Sequence, residues 1–157
     1  MKVVLLCGGF GTRIRDVNEN LPKPMLPIGN KPIIWHIMNY YSKFGHNEFI
    51  LCLGYKGDII KNYFLNYKTN QSNLEIDLNK NEIKYLDNEK NLDWKIKLID
   101  TGLNTYTGGR IKRIQKYIDP NETFMINYGD GLGDIDLNKL VKFHKGHGKA
   151  LTLTGVS

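Results

Sequence analysis

The chain reads as an α/β protein of the Rossmann-like, doubly wound kind, a largely parallel sheet with helices on both faces. Three observations predict it. Short apolar runs alternate with longer segments of helical periodicity. The first apolar run opens directly into Gly8-Gly9-Phe10-Gly11, and a later one ends on Gly129-Asp130-Gly131. Both put a ligand-ready turn at the carboxyl end of a strand, where open sheets of this class bind ligands and where connections are right-handed.

Residues 3–7 form the first strand. Pro32 suits a first helical position, because its fixed φ is helical and an N–H is not needed there. Ile33, Ile37 and Tyr41 then repeat on one face beside Trp35 and Met38, and Gly45 ends the helix. Residues 49–53 read as a buried strand, Gly54-Tyr55-Lys56-Gly57 as its turn and residues 58–67 as a second helix. The opening order is therefore βαβα. Residues 66–93 are rich in Asn, Lys and Glu, with brief alternation at Leu74, Ile76 and Leu78, which predicts an exposed hairpin-like excursion. Regular order returns as a strand over 94–99, a helix over 109–118 stopped by Pro120, a strand over 123–127, a helix over 136–147 and a strand over 150–156. The last run reads as an interior strand, and a sheet that stops at Ser157 lacks the elements that should follow. The expected organisation is the N-terminal part of a single domain, C-terminally truncated.

A chain of 157 residues with 41% hydrophobic content can bury a core. It has no apolar run near the roughly 18 residues a membrane span needs and no secretion-signal pattern, so the cytoplasm is expected. Cys7 and Cys52 fall in predicted buried strands without metal-type spacing, as two reduced core thiols would. The net charge of +6 is spread over many segments without an aromatic stacking motif, which argues against nucleic acid as a partner. In the densest basic run, residues 110–116, Lys112 and Lys116 are expected on the solvated face of a helix.

The opening glycine loop is built for phosphate. Glycines without Cβ atoms let consecutive N–H groups turn to one anion, and Arg13 and Lys23 add cations. Pro22 and Pro24 restrict the backbone on both sides of Lys23, which pre-places its ammonium. The loop is not a P-loop, since Thr12-Arg13 follows Gly11 where Lys and Ser or Thr would be required. Nor is it a dinucleotide fingerprint, because Ile14 stands where a small residue is needed. Asp130, at a strand end between two glycines, offers a hard oxygen suited to Mg²⁺, although an Asp in such a turn also serves the turn itself. Asp134 and Asp136 lack the spacing of a calcium loop, and Asp136 is expected to cap the next helix. His144 and His147 lie three apart on that helix with no third ligand nearby, and His36 and His46 have the same modest status.

The block from Leu6-Cys7-Gly8-Gly9 through Gly11-Thr12-Arg13 to Pro22-Lys23-Pro24-Met25 resembles the signature of sugar-1-phosphate nucleotidyltransferases. The segments Lys31-Pro32-Ile33-Ile34-Trp35-His36-Ile37-Met38, Gly54-Tyr55-Lys56-Gly57, Asp100-Thr101-Gly102, Thr107-Gly108-Gly109-Arg110 and Tyr128-Gly129-Asp130-Gly131 are similar to its glucose-1-phosphate cytidylyltransferase branch, and the likeness runs the whole length. Cys7 departs from the family's usual Ala. The resemblance implies a nucleotide-diphospho-sugar transferase fold and Mg²⁺-dependent, in-line nucleotidyl transfer from CTP to glucose 1-phosphate, releasing pyrophosphate. It implies that Leu6, Cys7, Gly8, Gly9, Phe10, Gly11, Thr12 and Arg13 hold the triphosphate. Lys23 would sit with Arg13 where charge builds, Asp130 would hold the metal, and Thr105, Arg110 and Gly129 would contact the nucleotide. Arg110, whose fork of donors could read the acceptor edge of a pyrimidine, is the base-recognition candidate. The second metal carboxylate and the sugar-phosphate lysine are expected beyond Ser157. A change of base to thymine or uracil, and a non-catalytic nucleotide-binding or oligomerisation module, are the competing readings. A homo-oligomer is the expected assembly, with no membrane.

Overall fold

The computed structural model of the chain describes residues 1–10, 20–87 and 92–155. In chain order its elements are β1 (Lys2–Leu6), β2 (Pro27–Ile28), β3 (Lys31–Pro32), α1 (Ile33–Lys43), β4 (Glu48–Leu53), α2 (Gly57–Leu65), α3 (Tyr67–Gln71), β5 (Leu74–Asp77), β6 (Glu82–Tyr85), β7 (Lys95–Asp100), α4 (Thr107–Ile114), β8 (Met125–Tyr128) and α5 (Leu137–His147). A 3-10 turn, Lys23–Met25, precedes β2.

Four strands form the central sheet in the spatial order β7-β4-β1-β8, and every pairing is parallel. The chain first steps outward from β1 to β4 to β7, then returns to the other side of β1 to lay down β8. Right-handed crossovers therefore send α1 and α2 to one face and α4 to the other. The core divides accordingly. Val3, Leu5, Phe49, Leu51 and Leu53 pack with Ile34, Ile37 and Met38 of α1, Ile60 of α2 and Leu137 of α5, while Val4, Ile50 and Cys52 pack with Ile114 of α4. Both faces of β1 and β4 are covered, which is why their sequences are unbroken apolar runs rather than alternating ones. Each such side chain removed from water is worth about 1.5–3 kcal/mol.

The strand order reverses between β1 and β8, and the loops that leave the carboxyl ends of these paired strands are where an open sheet of this class forms its ligand crevice. Sequence and structure agree on the doubly wound, largely parallel architecture. They differ in three places. Pro32 caps α1 in an extended conformation rather than occupying its first turn, because it also pairs with Pro27 in the β2–β3 ribbon. The helix expected over 109–118 starts at Thr107 and tightens into a 3-10 turn at Gln115–Tyr117. Residues 150–155 form no strand and pair with none of the described strands, although β8 stands at the edge of the sheet. The excursion does contain a hairpin, β5 with β6, in a separate two-stranded sheet.

Candidate functional site at the sheet reversal

At the end of β1 the chain continues through Cys7, whose N–H donates to the Cys52 carbonyl at 3.0 Å, and then into the glycine loop. Gly8 has a steric reason to be glycine. A Cβ there would lie 2.1 Å from a terminal nitrogen of Arg110. Gly129, after β8, has another: a Cβ would come within 2.7 Å of the Cys7 Sγ and 3.0 Å of Pro24. Its N–H donates to the Leu6 carbonyl at 3.0 Å and extends the β1–β8 ladder by one bond. Asp130 is thereby delivered to the rim directly above Cys7.

Lys23 reaches the same rim from a different element. Buried Pro24 and Met25 anchor its 3-10 turn, which closes through Met25 N–H to the Pro22 carbonyl at 2.8 Å and Leu26 N–H to the Lys23 carbonyl at 3.1 Å. The ammonium stands 3.7 Å from Asp130 Oδ2. With side chains 23% and 38% exposed, this pair is wet and weak by itself, so its meaning is placement rather than stability.

Between these groups lies a cavity of about 590 Å³, within the range of small-molecule sites. Leu6, Cys7, Gly8, Gly9, Phe10, Lys23, Thr105, Arg110 and Asp130 all line it, so most of the residues singled out in the sequence converge. Gly129 is not among the lining residues, although its neighbours Tyr128 and Asp130 are. Gly11, Thr12 and Arg13 fall outside the described residues. The loop after β7 supplies Leu103, Asn104, Tyr106 and Thr107, and β8 adds Tyr128. Asn104 and Tyr106 went unnoticed in the sequence, where the usable signal was their position just past the carboxyl end of a parallel strand.

Arg110 requires a correction. Its side chain is turned inward at 5% exposure, and both terminal nitrogens are committed. One donates to the Leu53 carbonyl at 2.9 Å and Thr101 Oγ1 at 2.7 Å; the other donates to the carbonyls of Gly8 at 2.9 Å and Leu103 at 3.2 Å. A fork spent on four acceptors of its own chain is not free to read a pyrimidine edge. It ties the ends of β1, β4 and β7 together instead. Arg110 forms no ion pair among the described residues. Burial, the largest influence, pulls its pKa below the ordinary value, so a largely desolvated positive charge forms part of the cavity lining. Arg113 completes the arrangement, donating to the Thr101 carbonyl and to Thr105 Oγ1.

The thiols behave as expected for core groups. Both cysteines are free and buried; desolvation pushes the Cys7 thiol well above its ordinary value and Cys52 up to about 11, so neither is a nucleophile at neutral pH. No three His, Cys, Asp or Glu residues cluster as a metal cage among the described residues. Asp130 presents one hard carboxylate oxygen at the cavity mouth, a donor that suits Mg²⁺, which takes one or two carboxylates and fills its shell with water and phosphate oxygens. His144 and His147 hydrogen-bond a common hydroxyl, Thr152 Oγ1, at 2.8 and 2.7 Å. No helix among the described residues is long and apolar enough to cross a membrane.

The family model for nucleotidyl transferases matches residues 2–157. A probable glucose-1-phosphate cytidylyltransferase of Bacillus subtilis is 47% identical over 156 residues, covering 99% of this chain and 60% of the relative. The glucose-1-phosphate cytidylyltransferase of Salmonella typhimurium is 45% identical over 98% of this chain and 60% of its own length. Among solved structures, HddC from Yersinia pseudotuberculosis complexed with GMP-PN superposes with a TM-score of 0.65 at 30% identity, covering 91% of this chain and 53% of that one. A UDP-glucose pyrophosphorylase complexed with UDP-glucose gives 0.64 at 18% identity over 93% of this chain and 53% of its own, a likeness of fold. This chain thus spans about 60% of the length of the cytidylyltransferases it matches. With its sheet order, the crevice at the reversal and a family match over nearly every residue, the chain belongs to the nucleotidyl transferase family.

Proposed function

We propose that this chain is the nucleotide-binding part of a glucose-1-phosphate cytidylyltransferase, making CDP-glucose and pyrophosphate from CTP and glucose 1-phosphate. The observation that carries the reading is the meeting of Lys23 and Asp130, 107 residues apart in sequence, 3.7 Å apart at the mouth of one cavity. Identities of 45 to 47% to cytidylyltransferases support the choice of base and sugar.

The nucleophile in such a transfer is already an anion, so little proton chemistry is demanded of the protein. Its task is to align two polyanions and offset their repulsion. Gly8 and Gly9 leave room for the triphosphate to approach the backbone. Lys23 places its ammonium against phosphate oxygens as charge shifts toward the leaving pyrophosphate, and the largely buried Arg110 charge in the cavity lining favours an anion there. Asp130 would hold Mg²⁺, which supplies charge neutralisation across the phosphates. Gly11, Thr12 and Arg13 extend the same loop and are assigned to the triphosphate by resemblance. Enzymatic turnover, Mg²⁺ dependence and homo-oligomeric assembly belong to this proposal, as does a cytoplasmic setting.

The test is titration calorimetry of the chain with CTP, UTP, dTTP and GTP, each with Mg²⁺, paired with pyrophosphate release from an intact-length form. Tightest binding and fastest release with CTP are expected. Preference for another triphosphate reassigns the base; no binding of any triphosphate removes the site.

A further inference from the structure

We propose that Tyr40 is a positioning residue for the acid at the site: its phenol holds the loop that presents Asp130, so that the carboxylate meets a divalent cation in one orientation. The inference rests on the reading of Asp130 as a metal ligand.

The loop between β8 and α5, residues 129–136, contains Gly129, Gly131 and Gly133, and three glycines in eight residues leave the backbone many conformations. Asp130 cannot restrain itself, since its exposed pairing with Lys23 is too weak to order a loop. Backbone bonds hold the glycines on either side of it, Gly129 N–H to the Leu6 carbonyl and Gly131 N–H to the Tyr128 carbonyl, and two side-chain contacts hold the rest of the loop. Near its start, Asn127 Nδ2 donates to the Gly131 carbonyl at 3.0 Å. Near its end, the Tyr40 hydroxyl accepts from the Ile135 N–H at 2.8 Å and donates to the Ile135 carbonyl at 2.5 Å. One phenol satisfies both backbone groups of a single residue, as a neighbouring strand would.

That hydroxyl has a fixed address. The Tyr40 ring packs on the core and lies 5.4 Å from Phe44 and 6.4 Å from Tyr41, so α1 determines where the oxygen sits. The same helix receives the Lys23 turn, through Ile33 N–H to the Leu26 carbonyl at 2.9 Å. The cation and the acid therefore share one support although they come from distant parts of the sequence.

Tyr40→Phe keeps the ring and its packing while removing only the hydroxyl. CTP affinity is measured by calorimetry on the 157-residue chain across a Mg²⁺ series and in EDTA, with a thermal melt of each variant. The Mg²⁺ concentration that gives half the metal-dependent gain is expected to rise roughly tenfold, the scale of losing a pair of net-stabilising hydrogen bonds, with affinity in EDTA unchanged. Asn127→Ala, which frees the other end of the loop, should move the midpoint in the same direction. An unmoved midpoint in Tyr40→Phe overturns the proposal. So does an equal loss with and without metal alongside a lowered melt, which marks a fold contact only. A wild-type chain whose CTP affinity ignores Mg²⁺ fails differently: it removes Asp130 from metal binding, and the role of Tyr40 with it.

Discussion

The carboxyl edge of the central sheet and the β5–β6 hairpin are both polar, glycine- or asparagine-rich surface, yet only the first is held from beneath. Under the sheet edge, Leu5, Leu51, Leu53 and Cys52 are essentially inaccessible, and Arg110 binds three strand ends together. In the hairpin, Ile76 faces Ile83 across the strands and both remain more than half exposed. A lone two-stranded ribbon is marginal in water, whereas loops rooted in a buried parallel sheet inherit its rigidity. A site needs the second kind of surface. The residues that converge on the cavity all come from segments anchored to β1, β7, β8 or the Lys23 turn, and none comes from the hairpin.

The strongest way to break this contrast is at the strut. Arg110→Met would remove four hydrogen bonds at once, leaving the Leu103 carbonyl without that donor while the Leu53 carbonyl keeps Thr101 and the Gly8 carbonyl keeps the Tyr55 N–H, and should destabilise the chain by on the order of 3 kcal/mol in urea unfolding. A loss below about 1 kcal/mol would mean that the strand ends are held by something else.

Next in size is the chemistry. Lys23→Ala in an intact-length form should lower kcat on the order of a hundredfold, the effect of removing one preorganised charge-stabilising donor. Near-normal turnover would detach Lys23 from the transferring phosphate. Gly129→Ala should weaken CTP binding through displacement of Cys7 or Pro24, and the double variant with Cys7→Ala should recover part of it, because the nearer obstruction is the sulfur. Failure of that rescue would point to the Pro24 contact as the limiting one.

A smaller effect tests the opposite end of the sheet. Both ring nitrogens of His46 are buried without a partner among the described residues, and burial first, then the Met1 ammonium, pulls its pKa below 6.5. The folded chain thus prefers neutral His46, so its contribution is complete above about pH 6.5 and is lost as pH falls below that value. The urea midpoint should decline from pH 7.5 to 5, and His46→Phe should flatten the decline. Smallest of all, Ile76→Thr on the hairpin should change stability by no more than about 0.5 kcal/mol and leave CTP binding untouched. A larger change in either would show that the hairpin is coupled to the sheet.

Much of the frame was legible in the residues because it is local physics. The runs at 3–7, 49–53, 94–99 and 123–127 correspond to β1, β4, β7 and β8 within one or two residues; β1 and β4 are apolar because both faces are buried, whereas the outer strands β7 and β8 mix apolar with polar or exposed positions. Gly45 at φ 80° and Gly148 at φ 63° stop α1 and α5 as glycine in the left-handed region does. Asp136 caps α5 through the Lys139 N–H. The glycine loop, the proline-framed lysine and the acid were also visible, each being a short pattern with its own chemistry.

The inward turn of Arg110, the sharing of α1 by Lys23 and Asp130, and the absence of strand at 150–155 were not visible. A guanidinium beside two glycines carries the same local pattern whether it faces a ligand or the ends of three strands. Only the positions of the Leu53, Gly8 and Leu103 carbonyls, drawn together by the sheet, decide between them. Likewise a β-type run becomes a strand only when another strand presents its hydrogen bonds, a condition met across space rather than along the chain.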